Sequence, residues 1–322
     1  MNGDMMKTTN NNPAFGSDLE PFHGITTFMR VPASRELTNV DVAIAGVPFD
    51  SGTSYRSGTR FGPRKVREVS LMLWGHNPSM QVTPLDDLLV VDYGDISVNP
   101  TSIEKTMASI TNATDEILKS GTTVIAIGGD HSITLPILRA TAKKFGPLSL
   151  VHVDAHIDTW EEEFEGSPYS HGTPFRHALQ EGLIGKGQYI QIGIRGPVSN
   201  VNDYQDSKEL GAHTITIHEF FEKGIEEVLK EIHQRCIGPV YVSIDIDAAD
   251  PAYAPGTGTP EVGGLSSYHM LQLVRGLQGL NLVGFDIVEV SPPYDHSDIT
   301  AMLASNIVFE YLSLLALKKK SN

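Results

Sequence analysis

Cysteine is almost absent from this sequence, which contains only Cys236 in 322 residues. A single thiol cannot form an intrachain disulfide, so the fold is stabilised without covalent cross-links, as is usual for proteins of the reducing cytosol. Cys236 follows a segment with helical periodicity. We expect it to be a small buried apolar residue rather than a nucleophile.

Long apolar runs are also missing. No uninterrupted stretch approaches the ~20 apolar residues that span a bilayer. The opening segment, MNGDMMKTTNNNPAFG, lacks the apolar core of a signal peptide and the arginines of a transit peptide. We therefore expect a cytoplasmic protein without a membrane partner. Residues 1–20 are predicted to form a mobile N-terminal extension, and residues 21–322 a single domain, because no repeat or linker interrupts them.

Positive charge is scarce, with 24 Lys and Arg against 39 Asp and Glu and a net charge of -15 at pH 7. Nucleic-acid binding depends on Lys and Arg side chains that neutralise phosphates, so this balance argues against a nucleic-acid partner. The surplus of carboxylates mildly favours cationic ligands.

The sequence does contain an alternation of short β-branched runs and segments of helical periodicity. Two apolar stripes at helical spacing are Ile103, Met107, Ile110 and Ile117, and Phe221, Ile225, Val228 and Ile232. Strands that are apolar on both faces and separated by helices predict an α/β fold with a parallel sheet covered on both sides. The pattern leaves open whether the strands close into a barrel or form an open, doubly wound sheet. The eight strand candidates are 40–47, 88–94, 122–129, 148–154, 189–194, 213–217, 240–246 and 282–290.

Aspartate and histidine residues collect where three predicted strands end. Ligands bind beyond the carboxyl ends of parallel strands, so these side chains are expected at one edge of the sheet. So many carboxylates would repel one another, and two divalent cations are the simplest compensation. Mixed oxygen and nitrogen ligation indicates Mn²⁺ or another borderline first-row ion. The candidate ligands are His131, Asp154, His156, Asp158, Asp245 and Asp247.

Three further aspartates, Asp92, Asp95 and Asp286, lie in or near predicted strands. A lone aspartate at such a position is usually a helix N-cap or a turn residue, and we expect no more of these three.

The sequence closely resembles the arginase–agmatinase (ureohydrolase) family. The matching motifs are GGDHS at 128–132, DAHID at 154–158 and SIDIDAADPAYAPGTGTPEVGGL at 243–265. The resemblance implies an open, doubly wound, eight-stranded parallel sheet in a single catalytic domain. It also implies two Mn²⁺ per chain, with Ni²⁺ as the alternative used by some relatives that act on small guanidines. One ion would be held by His131, Asp154, Asp158 and Asp245, and the other by His156, Asp154, Asp245 and Asp247.

One departure from the family pattern is Ala248-Ala249, which fills the position after DID where a larger residue is common. This change could alter the volume of the pocket, but it removes no ligand.

The activity implied by the resemblance is hydrolysis of a guanidino compound to urea and an amine. Asp158 is expected to carry a proton to the leaving nitrogen. His171, in SHGTPF, would assist proton transfer at the mouth of the site. Glu261, in GTGTPE, would pair with the guanidinium, to which a carboxylate can form two parallel hydrogen bonds.

Agmatine, cleaved to putrescine and urea, is the favoured substrate. The Asn and Ser set with which arginases recognise an amino-acid head is not found after DAHID. Glu161, Glu162, Glu163 and Glu165 follow the metal motif, and one of them could contact a distal ammonium; a fully solvated acidic loop is the other interpretation. Arg176 and Arg195 could instead bind a carboxylate, so a guanidinobutyrase or guanidinopropionase is the alternative, followed by hydrolases of other small guanidines.

Two other classes of function remain possible. A single-zinc deacetylase of related fold is disfavoured by the complete second ligand set, and a silent subunit of a hetero-oligomer by the presence of all six ligands. The resemblance also implies a homo-oligomer, either a hexamer or a trimer, in which the C-terminal segment FEYLSLLALKKK is a plausible packing element.

Overall fold

A single sheet of eight strands forms the centre of the protein in a computed structural model that describes residues 20–321. The strands are β1 Val42–Gly46, β2 Val90–Asp95, β3 Thr123–Ile127, β4 Leu148–Val153, β5 Ile184–Ile194, β6 Ala212–Thr216, β7 Pro239–Asp245 and β8 Asn281–Val288. Their order is β2-β1-β3-β8-β7-β4-β5-β6, and all neighbouring pairs are parallel. Because β2 and β6 stand at opposite ends of this order and do not pair with each other, the sheet is open, which confirms the predicted fold and rules out a barrel. Only Glu20 of the predicted extension at 1–20 lies among the described residues.

Helices cover both faces of this sheet. They are α1 Gly62–Ser70, α2 Pro84–Asp87, α3 Ile103–Lys119, α4 Thr134–Phe145, α5 Pro174–Gln180, α6 Asp203–Leu210, α7 Ile217–Lys223, α8 Ile225–Arg235, α9 Ser267–Arg275 and α10 Ile299–Ser321. Buried side chains of α1, α8, α9 and α10 pack on one face, and those of α3, α4 and α5 on the other. Alternate residues of each strand supply the two cores, which explains why the strands are apolar on both faces.

Strand β5 differs most from its predicted bounds, since it begins at Ile184 rather than at residue 189. Leu148 pairs with Ile184, but Leu150 pairs with Tyr189, so the intervening residues of β5 form a bulge. This stretch, GKGQ, is polar and rich in glycine, and it therefore lacks the composition that identifies a strand.

The first predicted apolar stripe is confirmed, because α3 buries Met107, Ile110 and Ile117. The second stripe is wrong at its start. Gly224 adopts φ 77° and separates α7 from α8, so Val228 is buried while Phe221 remains 53% exposed. A glycine with positive φ ends the first helix and redirects the chain.

The C-terminal helix α10 is long and apolar enough, by length and composition, to cross a bilayer. Of its most apolar window, 83% is buried inside the domain. Its apolar character is therefore accounted for by packing against the sheet, where Tyr311 stacks on Phe285. Cys236, as predicted, is buried directly after α8.

Asp92 and Asp95 are neither helix caps nor simple turn residues, contrary to expectation. Arg67 of α1 donates to Asp92 through Nε at 2.8 Å and to Asp95 through Nη1 at 2.6 Å. Asp92 also accepts a 2.9 Å hydrogen bond from the main chain of Phe28. These contacts join α1, β2 and the segment before β1, which are distant in sequence, and sequence spacing alone could not show them.

Candidate metal centre

The six predicted ligands meet at the carboxyl edge of the sheet. His131 opens the 3₁₀ turn that leads into α4, and the other five lie at or just beyond the ends of β4 and β7. These two strands are neighbours, and β8 separates them from β3. All six side chains are buried except that of His156, which is partly exposed.

The first group of ligands surrounds His131. Its Nδ1 atom lies 3.1 Å from Asp154 Oδ2, 2.9 Å from Asp158 Oδ2 and 3.3 Å from Asp245 Oδ2. Its Nε2 atom lies 2.9 Å from the hydroxyl of Ser243, which donates its own proton to Asp286 at 2.6 Å. Nε2 must therefore donate to Ser243, which leaves the Nδ1 lone pair of the neutral ring facing three carboxylates.

The second group surrounds His156. Its Nδ1 atom lies 3.1 Å from Asp247 Oδ2 and 3.5 Å from Asp154 Oδ1. Asp154 therefore contacts both histidines. Asp245 lies next to the second group because its Oδ1 accepts a 2.8 Å hydrogen bond from the main chain of Asp247.

This arrangement fits two cations. His131 Nδ1 is buried and makes no hydrogen bond, although three carboxylates are close to it. Burial raises the pKa of Asp245 well above its usual range, and the nearby charges of Asp247 and Asp154 raise it further. Buried carboxylates this close need positive charge to remain ionised, and two divalent ions supply four charges to four aspartates. The residues present therefore suit a binuclear site with mixed oxygen and nitrogen ligands.

His152 was not among the candidate residues, yet it holds a ligand in place. Its Nε2 lies 2.6 Å from Asp154 Oδ2, and its Nδ1 lies 3.0 Å from the hydroxyl of Tyr189. Burial lowers the pKa of His152 to about 4, so the neutral ring can donate from Nε2 while Nδ1 accepts from Tyr189. Such a partner orients a metal-binding carboxylate. The signal was present in the sequence, because His152 and Asp154 are two residues apart and point to the same face of β4.

Asp286 also supports the centre and is not a cap, contrary to expectation. It is fully buried in β8, where it accepts hydrogen bonds from Ser243, Tyr241 and Thr134. Asp286 accepts from Ser243, which in turn contacts His131. Strand β8 thus helps to orient the metal ligand His131.

His171 lies between two partners that the sequence did not reveal. Its Nδ1 is 3.0 Å from Glu289 Oε1, while its Nε2 accepts from the main chain of Ser54 at 3.0 Å. Burial lowers the pKa of His171, but the carboxylates of Glu289, Glu163 and Asp158 together raise it, to about 10. The Ser54 N–H suits only an unprotonated Nε2, so this contact must change whenever the ring takes up a second proton.

A cavity of about 130 Å³ lies over the centre. Its walls include Asp158 and His171, together with Trp160 and Glu163 from the acidic segment at 159–172. The predicted residue Glu261 lies beside the second group, with Oε1 3.8 Å from His156 Nε2 and a side chain that is 27% exposed.

The two arginines considered for a substrate carboxylate bind the protein itself. Arg176 Nε donates to the Thr159 carbonyl at 2.9 Å. Arg195 donates from all three of its guanidinium nitrogens to main-chain carbonyls, including that of Glu261. Neither arginine lines the cavity described above.

Comparison with known proteins accords with this site. The sequence model of the arginase family matches residues 40–313. The chain belongs to the arginase family. Members of this family are metal-dependent hydrolases that cleave guanidino C–N bonds at a binuclear centre. This chain is therefore a hydrolase of guanidino C–N bonds.

Individual relatives differ in the substrate that their names give. The human mitochondrial guanidino acid hydrolase is 45% identical over 91% of this chain and 83% of its own length. The mitochondrial agmatinase of Gallus gallus is 44% identical over 91% of this chain and 86% of its own. The solved structure of proclavaminate amidino hydrolase from Streptomyces clavuligerus superposes with a TM-score of 0.88 at 42% identity, covering 92% of this chain and 98% of the other. These relatives support a guanidino hydrolase and leave its substrate open.

Proposed function

We propose that this chain hydrolyses agmatine to putrescine and urea with two Mn²⁺ ions. The observation that carries the choice of substrate is the charge of the cavity wall. Among residues 20–321 no Lys or Arg lines the cavity, and Glu163 is the carboxylate of its wall that is not a predicted metal ligand, so the ions do not balance its charge. An acidic wall favours a substrate with a cation at each end over one with a distal carboxylate.

Glu163 is the best placed of the four glutamates to meet the distal ammonium. Glu161, Glu162 and Glu165 are exposed, whereas the side chain of Glu163 is only 17% exposed and lines the cavity. Its Oε2 accepts from the main chain of Gly172 at 2.9 Å, which leaves Oε1 towards the site, 3.9 Å from His171 Nε2. A carboxylate held in this way can bind an ammonium without first ordering its own side chain.

Residues around the two cation sites are placed to bind the guanidinium and to move protons. The bound ions would lower the pKa of water so that hydroxide is available at neutral pH. Asp158 faces the cavity and can transfer a proton to the leaving nitrogen. Glu261, whose Oε1 lies 3.8 Å from His156 Nε2, is the predicted guanidinium partner. Glu289 is a second carboxylate that could accept from the guanidinium, because its buried Oε2 has no hydrogen-bond partner.

Guanidino acids are the second candidate substrates. The human relative is named a guanidino acid hydrolase and is as similar to this chain as the agmatinase is. Binding of such an acid would require neutral donors, for example the hydroxyls of Ser54 and Thr259, which line the cavity.

Urea release from a panel of substrates tests the proposal. The Mn-loaded chain, with a Ni-loaded sample in parallel, is assayed with agmatine, 4-guanidinobutyrate, 3-guanidinopropionate, arginine and guanidine. We expect the highest kcat/KM for agmatine. Preference for a guanidino acid would select the second candidate, and no urea from any substrate in a sample that holds two ions per chain would favour a silent subunit.

The isosteric substitution Glu163→Gln tests the ammonium contact. Loss of one charge-assisted contact should raise KM for agmatine about tenfold. Glu162→Gln, in the same segment but exposed, is the matched control and should behave as the wild type. An unchanged KM in Glu163→Gln would remove the ammonium role of Glu163 while leaving the hydrolase intact.

We also propose that the enzyme is a cytoplasmic homo-oligomer, either a hexamer or a trimer. The single buried thiol and the family resemblance support this proposal. Light scattering on the purified chain measures the oligomeric state directly, and a monomer at working concentration would contradict it.

A further inference from the structure

Arg195 is the first residue after β5, and all three nitrogens of its guanidinium group donate hydrogen bonds to main-chain carbonyls. Nη2 donates to the carbonyls of Asp247 at 2.8 Å, Ala249 at 3.3 Å and Glu261 at 2.6 Å. Nη1 donates to those of Ala248 at 3.1 Å and Gly193 at 3.3 Å, and Nε to that of Val262 at 3.2 Å. One side chain thus joins the end of β5 to both ends of the loop 247–262.

The main chain of Arg195 contacts the other metal-binding segment. Its N–H donates to the carbonyl of Ala155 at 2.9 Å, and that of Gly196 donates to the same oxygen at 2.8 Å. Ala155 lies between Asp154 and His156, and its own N–H donates to Asp247 Oδ1 at 3.2 Å. Arg195 therefore contacts both segments that form the second group of ligands.

No carboxylate among residues 20–321 lies within ion-pair distance of Arg195. Its side-chain N–H groups donate to main-chain carbonyls, and one of these carbonyls belongs to Asp247, whose carboxylate lies 3.1 Å from His156 Nδ1. His131, at the centre of the first group, is held instead by Ser243 and Asp286, and none of the Arg195 hydrogen bonds given above reaches it.

We propose that Arg195 is a positioning residue for the second cation site, formed by His156, Asp154, Asp245 and Asp247. It fixes the main chain at Asp247 and at Glu261, so that one ligand and the predicted guanidinium partner have a defined position relative to His156. A planar fork with five N–H donors can bind carbonyls in several directions at once, and a lysine ammonium cannot. This inference rests on the paired cation sites and is independent of the choice of substrate.

Metal content and affinity of Arg195→Lys and Arg195→Met test the inference. The variants are stripped, reloaded with Mn²⁺ at defined free concentrations, and measured by elemental analysis and calorimetry. We expect the first ion to bind as in the wild type and the second to bind about 10- to 100-fold more weakly, as is typical when a supporting contact of a metal ligand is lost. At limiting Mn²⁺ the content should fall from about two ions per chain to about one.

Arg275→Lys is the matched control. Arg275 is also partly buried, but it pairs with Glu310 between α9 and α10. We expect this variant to lose stability and to retain both ions with unchanged affinity. Two ions of wild-type affinity in Arg195→Lys, with only a lower melting temperature, would overturn the proposal and leave Arg195 a purely structural residue.

If the Arg195 variants do not fold, amide hydrogen exchange in the wild-type protein tests the same proposal. Binding of the second equivalent of Mn²⁺ should slow amide exchange both in 193–196 and in 247–262, because Arg195 couples these segments to the second site. The first equivalent should leave them unchanged. Equal protection by both equivalents, or none in 193–196, would contradict the inference.

Discussion

Asp158 and Asp245 both lie close to His131, yet their substitution should have different effects. Asp158→Asn keeps an oxygen at the same place but removes the group that accepts and passes on a proton. We expect this variant to retain most of its metal and to lose turnover by a factor of about 10² to 10⁴. Asp245→Ala removes a carboxylate that lies beside both groups of ligands, and it should lower the metal bound per chain.

Elemental analysis and urea release on the same samples separate the two effects. Full turnover in Asp158→Asn would remove the proton-transfer role of Asp158. Unchanged metal content in Asp245→Ala would show that Asp245 is not an essential ligand.

The thiol of Cys236 should be inert in the folded protein. Burial raises its pKa to about 12, so only about one thiol in ten thousand is ionised at pH 8, and the thiolate is the reactive form. We expect no modification by a thiol-specific disulfide reagent in native buffer and one modified thiol per chain in denaturant. Rapid modification of the native protein would show that the end of α8 opens readily.

The residues of the centre divide into those that local sequence can reveal and those that it cannot. The six candidate ligands lie in short motifs at strand ends, and His152 could have been added from its spacing to Asp154. Ser54 and Glu289 could not, because their contacts with His171 span 117 and 118 residues. Only the strand order of the folded sheet brings these loops together.

Among the secondary-structure elements, the turn after β5 sets the room available to His156. A Cβ atom added at Gly196 would lie 2.5 Å from His156 Cδ2 and 3.2 Å from the carbonyl of Ala155. Gly196→Ala should therefore displace the His156 ring and weaken binding of the second ion about tenfold or more. Metal titration followed by calorimetry measures this change.

Gly75→Ala is the control for that substitution. A Cβ atom at Gly75 meets only Thr83 Cγ2, at an ordinary contact distance of 3.7 Å. We expect no change in metal binding for this variant. Wild-type affinity for both ions in Gly196→Ala would mean that His156 does not need its present position.

Element types were more predictable than their arrangement. Alternation of apolar runs with helical stripes identifies eight strands and the helix α3, because both patterns are local. The position of β8 between β3 and β7 has no local signal, although it is what brings Asp286 and Glu289 to the centre. The apolar stripe is continuous in sequence, and only the positive φ of Gly224 in the folded chain divides it into α7 and α8.

For the molecule as a whole, the cations should contribute to stability as well as to catalysis. Without them, the four buried carboxylates of Asp154, Asp158, Asp245 and Asp247 repel one another in a chain whose net charge is already -15. Each of the two ions, if it binds only the folded state and is present at 100 times its Kd, adds about 2.7 kcal/mol to the free energy of unfolding. For both ions and a chain of this size, removal of the metal should lower Tm by about 8 °C.

Calorimetry with and without a chelator measures this difference, and Mn²⁺ added back in excess should restore the original Tm. Asp245→Ala supplies the control, because a chain that has already lost its ions should respond little to the chelator. An equal fall in Tm in this variant would indicate that the chelator acts at another site. An unchanged Tm in the wild type would show that the buried aspartates are compensated by protons rather than by metal, since protonation is the other way to remove their repulsion.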